Sequence, residues 1–556
     1  MHRRQFVKLS STVSVAALSG RLTYASVSQA IALNAPDAVW AQLEDKWISL
    51  KRTNGDTFSD QDVVVTVKTN GNASGIYLQS PSQPIKAIRL SWRYSPKPNV
   101  QFVGDHFERS YGDLSWKPLS QANRNPWYIL IYDGKQTACF GVKTGSGSIC
   151  WWQLSNTSLE LTCDTLSGGN GVLLGERTLH AADVVTMQSR SGESPYQVDH
   201  RFCGLMCDKP RLPKKPVYGI NDWYFAYGAN SFELIKKTTA LMAELVTDVN
   251  NRPFSVIDAG WATYSPLLPG DGGWNDDFSR PNAKFKDMHL MADTIRKEGM
   301  RPGLWMRPLC ARHDEKASLL APQIAGRNNP KMPVLDPTIP ENIERIKRNF
   351  DSYKTWGFEL VKHDFTTYDI LGRWGFSMNE SLTAAGWNFY DRSKTNAEII
   401  GHLYQSIRDA AGNGIYIIGC NTMSHLSAGL VELCRIGDDT SGKEWSRTLK
   451  MGVNTLAFRL PQHNKFYAVD GDCVGLTTSI AWDKNKQWLR LLAESGSPLF
   501  ISAQPEAMGE AQKIAVKKAF AQAANPQPLA EPIDWLTNPL PQKWKLNGKV
   551  VDFNWT

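Results

Sequence analysis

Two rhythms of apolar and polar positions divide the 556-residue chain. From about residue 36 to 212, short runs rich in β-branched and aromatic residues (DVVVTVKT, AIRLSWRY, PWYILIYD, CFGVKT, SICWWQL, GVLLGERTL) alternate with the turn signals NGN, DGK, GSGS and SGGN. Strand-sized runs at that spacing predict a β-sandwich. The stretch DKPRLPKKP at 208–216, with its three prolines, then reads as a linker.

From Tyr218 the rhythm becomes strand, loop, helix. GINDWYFAYG is the first candidate strand, and Asn230 with Glu233 three places on forms a capping-box signal for the helix after it. FSVIDAGW is the second strand. A helix over 287–298 places Met288, Met291, Ala292 and Ile295 on one face and stops at Gly299, and GLWMRP follows. The next helix starts at Pro340, carries Ile343, Ile346, Phe350 and Tyr353 at helical spacing, ends at Gly357 and delivers ELVKHDF. IYIIGCN, LVELCRIG, a short strand near 466–473 and PLFIS at 498–502 complete eight. Eight alternating units predict a (β/α)8 (TIM) barrel, in which catalytic residues sit at the carboxyl ends of the strands. The expected division is therefore an export signal over 1–30, an N-terminal β-sandwich over 31–212, a catalytic barrel over 213–525 and a short C-terminal β stub over 526–556.

Composition narrows the function. Hydrophobic residues at 42% and charged residues at 21% belong to a folded chain and exclude a disordered or fibrous one. The formal charge of +8 shrinks once the first thirty residues are set aside: they hold Arg3, Arg4, Lys8 and Arg21 and no acid, leaving 58 basic against 54 acidic residues. So small and dispersed an excess gives no footprint for nucleic acid. The same thirty residues run from a basic start through an apolar stretch, Phe6 to Leu18, to the small-residue end ASVSQA. That order predicts an export signal too short to span a bilayer, and no later apolar run is long enough for membrane insertion. RRQFVK resembles the bacterial twin-arginine signal, which implies a periplasmic protein exported already folded. Nine cysteines are too sparse for a disulfide framework, and Cys203 with Cys207 has no second pair to complete a zinc site, so free or structural thiols are expected. No fingerprint for a metal or organic cofactor is found in suitable context. No feature fixes an oligomeric state.

The strand ends concentrate carboxylates: Asp258 after the second, Asp364 after the fourth, Asp438 and Asp439 after the sixth, Asp470 and Asp472 near the seventh. Trp223, Trp261 and Trp305, among 20 tryptophans, lie nearby in sequence. Carboxylates accept hydrogen bonds from hydroxyls and aromatic rings cover apolar C–H faces, so the set suits a sugar. Two such acids suffice for glycoside hydrolysis.

VKHDF at 361–365 resembles the K-x-D nucleophile motif of the clan D glycoside hydrolases, families 27 and 36, which are retaining α-galactosidases and α-N-acetylgalactosaminidases. RIGDD at 435–439 is similar to the acid/base segment of family 36. DAGW at 258–261, GLW at 303–305, LDPTIPE at 335–341, VDGDC at 469–473 and SGSPLFIS at 495–502 match further family segments in order. The resemblance spans residues 218–502, and the β-rich N-terminal half fits the family 36 sandwich. It implies a hydrolase acting on an oligosaccharide or glycoside, with Asp364 as nucleophile and Asp439 as acid/base, and with Asp438 as the rival for that second role. Retention of configuration needs the two carboxyls about 5–5.5 Å apart. It further implies substrate contacts from Asp258, Trp223, Trp305, Lys362, Arg435, Asp472 and, at the fifth strand end, Cys420 and Asn421. Ala259 stands where the family has a second Asp that grips the sugar's 4- and 6-hydroxyls, so specificity for plain α-galactose is open. A raffinose-synthase-type transglycosylase shares these motifs, although an export signal argues against a sugar-storage role. A non-catalytic carbohydrate-binding protein is the third reading, opposed by the presence of both Asp364 and Asp439.

Overall fold

The computed structural model describes residues 33, 35–44, 46–119, 124–264, 275–327 and 333–556. The expected export signal lies outside the described residues. In the N-terminal half, fourteen strands join in one antiparallel order, from Lys117–Pro118 at one end to Asn125–Pro126 at the other. Their period of two is plain in Val63–Asn70, which buries Val63, Val65 and Val67 and leaves Val64 and Thr66 only partly covered. The order bends on itself. Phe140 in Thr137–Val142 and Trp152 in Ile149–Leu154 lie toward opposite ends of it, yet their rings sit 6.1 Å apart in a shared core.

A helix that the sequence pattern did not predict, Pro195–Met206, closes this half. Ser194 and Gln197 form a capping box, and Val198, Phe202, Cys203 and Met206 are buried. The chain over 208–216 then runs without regular structure, as expected, but it is fastened: Arg211 reaches Glu432 at 2.5 Å, and the Lys214 amide donates to the Tyr416 hydroxyl at 3.1 Å.

The second half builds a barrel-like parallel sheet. Its first six strands are Tyr218–Asn221, Phe254–Ile257, Arg301–Met306, Leu360–His363, Tyr416–Gly419 and Leu433–Arg435, each beside the next. The seventh is broken. Ala468–Asp470 pairs with the sixth strand, Gly471 and Asp472 turn the chain, and Cys473–Leu476 pairs with the eighth, Leu499–Ala503, which returns to the first. Asp472 takes a left-handed φ of 71° at this break, and the two pieces bring the sheet round on itself.

Helix signals hold well where they rest on chemistry. Pro340–Trp356 starts on its proline and stops at Gly357, whose φ of 88° suits a residue without Cβ. In Met288–Lys297 the Asp287 side chain accepts from the Leu290 amide, and the four predicted apolar residues are the buried ones. Two expectations need correction. The cap of Phe232–Ala243 is Ser231, not Asn230, because the buried Asn230 amide instead donates to Asp222 at 2.7 Å and to the carbonyls of Asp258 and Ala259. The first strand ends at Asn221, not Gly228: Asn221 Oδ1 accepts the Trp223 amide at 2.9 Å, turning the chain into the short helix Trp223–Ala226.

At the C-terminus, Glu531–Pro532, Lys543–Leu546 and Lys549–Asp552 form a small antiparallel sheet with Trp535, Trp544 and Trp555 buried beneath it. It touches both halves, through Trp116 against Trp535 (ring centroids 5.4 Å) and the Trp445 indole donating to the Trp555 carbonyl at 2.9 Å. All nine cysteines are buried free thiols. Among the described residues no helix is long and apolar enough to cross a membrane.

Candidate active site

A cavity of about 380 Å³ opens at the carboxyl ends of the parallel strands. Its lining includes Asp258, Trp223, Trp305, Lys362, Asp364, Asp438, Asp439 and Ala259, so six of the ten sequence-predicted site residues meet there, with the rival Asp438 and the substituted Ala259 beside them.

Asp364 follows the fourth strand and is oriented through both oxygens. Oδ1 accepts the Phe365 amide at 2.7 Å and Oδ2 accepts the Trp305 indole N–H at 3.3 Å. Phe365 takes a left-handed φ of 65°, an uncommon geometry for an aromatic residue that turns the strand sharply into the helix Thr366–Leu371. Behind it, Arg307 and Asp369 form a buried two-point pair at 2.6 and 2.9 Å, with the guanidinium over the Phe365 ring.

Lys362 points to the same face two residues earlier and pairs with Asp258 at 2.8 Å. Burial is the largest influence and works against its ammonium, but Asp258, Cys420 and Asp364 together outweigh it and the net direction is well above the ordinary lysine value. Asp258 also accepts the Asn221 amide at 2.7 Å. Beneath it the buried Asp222 is pushed up to about 7, first by burial and then by the neighbouring Asp258 charge.

The two acids of RIGDD differ in their surroundings. Asp438 is gripped on both oxygens, by Arg109 at 3.0 Å and Arg447 at 2.6 Å. Asp439 faces Arg435 at 3.0 Å and Arg109 at 3.9 Å through Oδ1 only. Burial raises the Asp439 carboxyl, but Arg435, then Arg109, Lys362 and Arg447 outweigh it, and the net direction is below the usual carboxylate range.

Arg435, Cys420, Asn421 and Asp472 do not line the cavity. Each is buried, and three have polar partners in the protein that explain why. Arg435 binds Asp439, Asp472 and the Tyr224 hydroxyl. Asp472 accepts from the Thr440 amide and hydroxyl, both at 2.8 Å, and from Tyr224. Asn421 donates to Glu108 and accepts the Tyr368 amide at 3.0 Å. These groups hold the wall from behind.

Sequence reasoning missed Arg109, Tyr111, Tyr227, Trp374 and Phe376, all of which line the cavity. The first two come from the β-rich half. The run FERSYGDLSW carries a charged pair among aromatics where strand alternation lapses, which was the only available signal; nothing local says that it crosses to the barrel.

No family model matches the sequence. Solved structures resemble the fold. An α-galactosidase of Thermus thermophilus, solved with p-nitrophenyl α-D-galactopyranoside, superposes with a TM-score of 0.61 at 17% identity, covering 88% of this chain and 96% of that one. A variant family 36 (GH36) α-galactosidase of Geobacillus stearothermophilus, solved with raffinose, gives 0.58 at 15%, covering 87% and 75%. The galactosidase domain of an α-galactosidase–sucrose kinase gives 0.58 at 14%, covering 84% and 67%. The chain therefore has the fold of the family 36 α-galactosidases.

Proposed function

We propose that this protein is a retaining, exo-acting α-glycosidase that removes terminal α-linked, galacto-configured sugars from oligosaccharides or glycosides by double displacement. The observation that carries the reading is the meeting of Asp364 and Asp439 in one aromatic-lined cavity with Trp305 and the Lys362–Asp258 pair. Two of the similar solved structures, those with p-nitrophenyl α-D-galactopyranoside and with raffinose, were obtained with galactosides, which supports the substrate class.

In the first step Asp364 forms a bond to the anomeric carbon while the glycosidic C–O bond breaks and Asp439 gives its proton to the departing oxygen. The contacts from Phe365 and Trp305 aim the carboxylate beforehand, so little reorganisation accompanies attack. In the second step Asp439 takes a proton from water, the water oxygen attacks the anomeric carbon, and the ester bond to Asp364 breaks. Asp258 and Lys362 serve the sugar hydroxyls, and Trp223 and Trp305 its apolar faces. Ala259 presents a methyl group to the cavity, so the sugar position facing it receives no carboxylate.

The same reading takes residues 31–212, 213–525 and 526–556 as the three working parts, and the first thirty residues as a twin-arginine signal to the periplasm. Asp364→Ala tests the chemistry. Turnover of an aryl α-galactoside should fall by a factor on the order of 10⁴ or more with folding unchanged. Azide should then restore part of it, giving a glycosyl azide of inverted configuration by NMR, because the covalent step is bypassed. Near-wild-type turnover in this variant would sink the assignment.

A further inference from the structure

The loop over residues 105–114 leaves the β-rich half and becomes part of the catalytic wall. Ser110 pairs with the RIGDD segment as an added strand would: its amide donates to the Ile436 carbonyl at 2.8 Å, and its carbonyl accepts the Asp438 amide at 2.9 Å. The Ser110 hydroxyl meets Thr455 at 2.6 Å. Glu108, fully buried, accepts from Tyr111, Asn421 and the Gly375 amide. Gly437 is required at this crossing, since a Cβ there would meet the Met451 carbonyl. The backbone of Arg109 therefore cannot shift along the wall without breaking bonds on both sides of it.

From that fixed base the guanidinium reaches the acid pair. One terminal nitrogen binds Asp438 Oδ1 at 3.0 Å, the other lies 3.9 Å from Asp439 Oδ1, and the group packs against the Trp374 ring at 5.4 Å. Arg109 is 5% exposed and its Nε meets no acceptor, so its terminal nitrogens and its stacking are what hold it. Asp438, with Arg447 on Oδ2, has a guanidinium on each oxygen, so both of its oxygens are engaged within the protein. Asp439 Oδ2, by contrast, has no hydrogen-bond partner among the described residues, and this side chain is the more exposed of the two, 38% against 18%.

We propose that Arg109 is a positioning residue that decides which of the two adjacent carboxyls moves the proton, engaging Asp438 from one side and leaving Asp439 Oδ2 to face the glycosidic oxygen. The inference rests on the glycosidase reading above and deepens it: the β-rich half supplies a working part of the active site. The charged and titratable groups around Asp439 are Arg435 at the end of the sixth strand, Asp438 beside it, Arg109 from the loop, Lys362 and Asp364 from the fourth strand end, Arg447 from the helix Trp445–Thr448, Tyr224 and Tyr227 after the first strand, and Asp472 at the broken seventh. Arg435 remains in every variant below, so Asp439 keeps one cation and loses only the share that Arg109 provides.

The test uses the full-length protein. Turnover of p-nitrophenyl α-galactoside and methyl α-galactoside by the unaltered enzyme comes first, and its absence overturns the glycosidase reading itself. With turnover in hand, Arg109→Gln should lose about tenfold more kcat/KM on the methyl glycoside than on the aryl one, because only the poor leaving group needs a well-placed acid. The alkaline limb of its kcat/KM profile should move to higher pH, since removing a nearby cation makes the Asp439 proton harder to lose; the ratio of rates at pH 8 and pH 5 should rise by about threefold or more. Arg447→Gln, whose direct contact is with Asp438 and whose pull on Asp439 is the weakest of the four cations, should leave the leaving-group ratio unchanged and move the pH limb less than Arg109→Gln does. Equal losses on both substrates with an unmoved pH profile in Arg109→Gln, or a leaving-group defect of the same size in Arg447→Gln, overturn the proposal. Should Arg109→Gln fail to fold by near-UV circular dichroism, Arg109→Lys carries the test: it keeps the charge but loses the two-armed geometry, so the leaving-group defect should remain while the pH limb stays in place. The absence of that defect in a folded Arg109→Lys overturns the proposal equally.

Discussion

A general acid matters most when the leaving group is poor, because protonation must then offset the instability of the departing alkoxide. Asp439→Ala should accordingly lose roughly 10² to 10⁴-fold on disaccharide linkages and far less on an activated aryl glycoside, where a glycosyl-enzyme should accumulate and be visible by intact-protein mass spectrometry. Asp438→Ala should show similar proportional losses on both substrates, since its carboxylate is occupied by two arginines. The reverse pattern would move the acid/base by one residue. Asp222 makes a pH prediction. Its folded-state carboxyl is raised to about 7 from an ordinary value of 3.8, so the native chain keeps a proton that the unfolded chain has released. That contribution is full below about pH 4 and disappears as pH rises through 7. Thermal melts of the wild type should fall over this window, and Asp222→Asn should flatten part of the slope; Asp164, also raised to about 7 by burial, retains its own share. The Asp364 and Asp439 positions were legible because short motifs sit at strand ends, where the fold itself brings carboxylates together. Arg109 was not, because its partner carboxylates lie more than three hundred positions away in the chain.

At the scale of elements, periodicity read the helices well wherever a proline, glycine or acidic cap marked the ends, as in Pro340–Trp356 and Met288–Lys297. It failed where a polar side chain was needed elsewhere. Asn230 resembles a cap in sequence but joins Asp222 to the second strand end, and Asn221 ends a strand that the apolar pattern would continue. The seventh strand read as one short run, because a break at Gly471 and Asp472 leaves no trace in hydrophobicity. The helix Thr366–Leu371, which begins directly after the Asp364 turn, depends on the buried Arg307–Asp369 pair. Arg307→Met should cost about 3–5 kcal/mol in urea unfolding, because it strands a carboxylate in the interior, and Arg307→Met with Asp369→Leu should recover much of that loss. A cost for the double variant equal to that of the single one would show that the pair is not what holds the turn.

On the scale of the whole molecule, the two halves behave as one unit through Arg459. Its fully buried guanidinium pairs with Asp105 at 2.8 Å, donates to the carbonyls of Glu108 and Ile436 at 2.9 and 2.7 Å, and reaches the Ser424 hydroxyl at 2.7 Å. Arg459→Met should destabilise the protein by about 3–5 kcal/mol and split a single calorimetric transition into two, as the β-rich half and the barrel lose their shared charge cluster. A melt that stays single and unshifted would assign the coupling to apolar contacts alone. The division into a β-rich half and a barrel-like parallel sheet was visible in the rhythm of the sequence. Their fastening was not, because it depends on individual polar groups that meet only after both halves have formed.

The crossing loop also fixes when activity can appear. Ser110 and Thr455 are 345 residues apart in the chain, and Asp105 and Arg459 are 354 apart. A nascent chain that has completed its β-rich half still holds Arg109 without an acid pair to grip, and the wall exists only after the sixth strand and the segment carrying Thr455 and Arg459 have emerged. Closing a loop of that length comes late, since its entropy cost precedes any contact that rewards it. In refolding, helix and strand signals should therefore recover before turnover does, and the interval between them is the time the loop takes to find its seat.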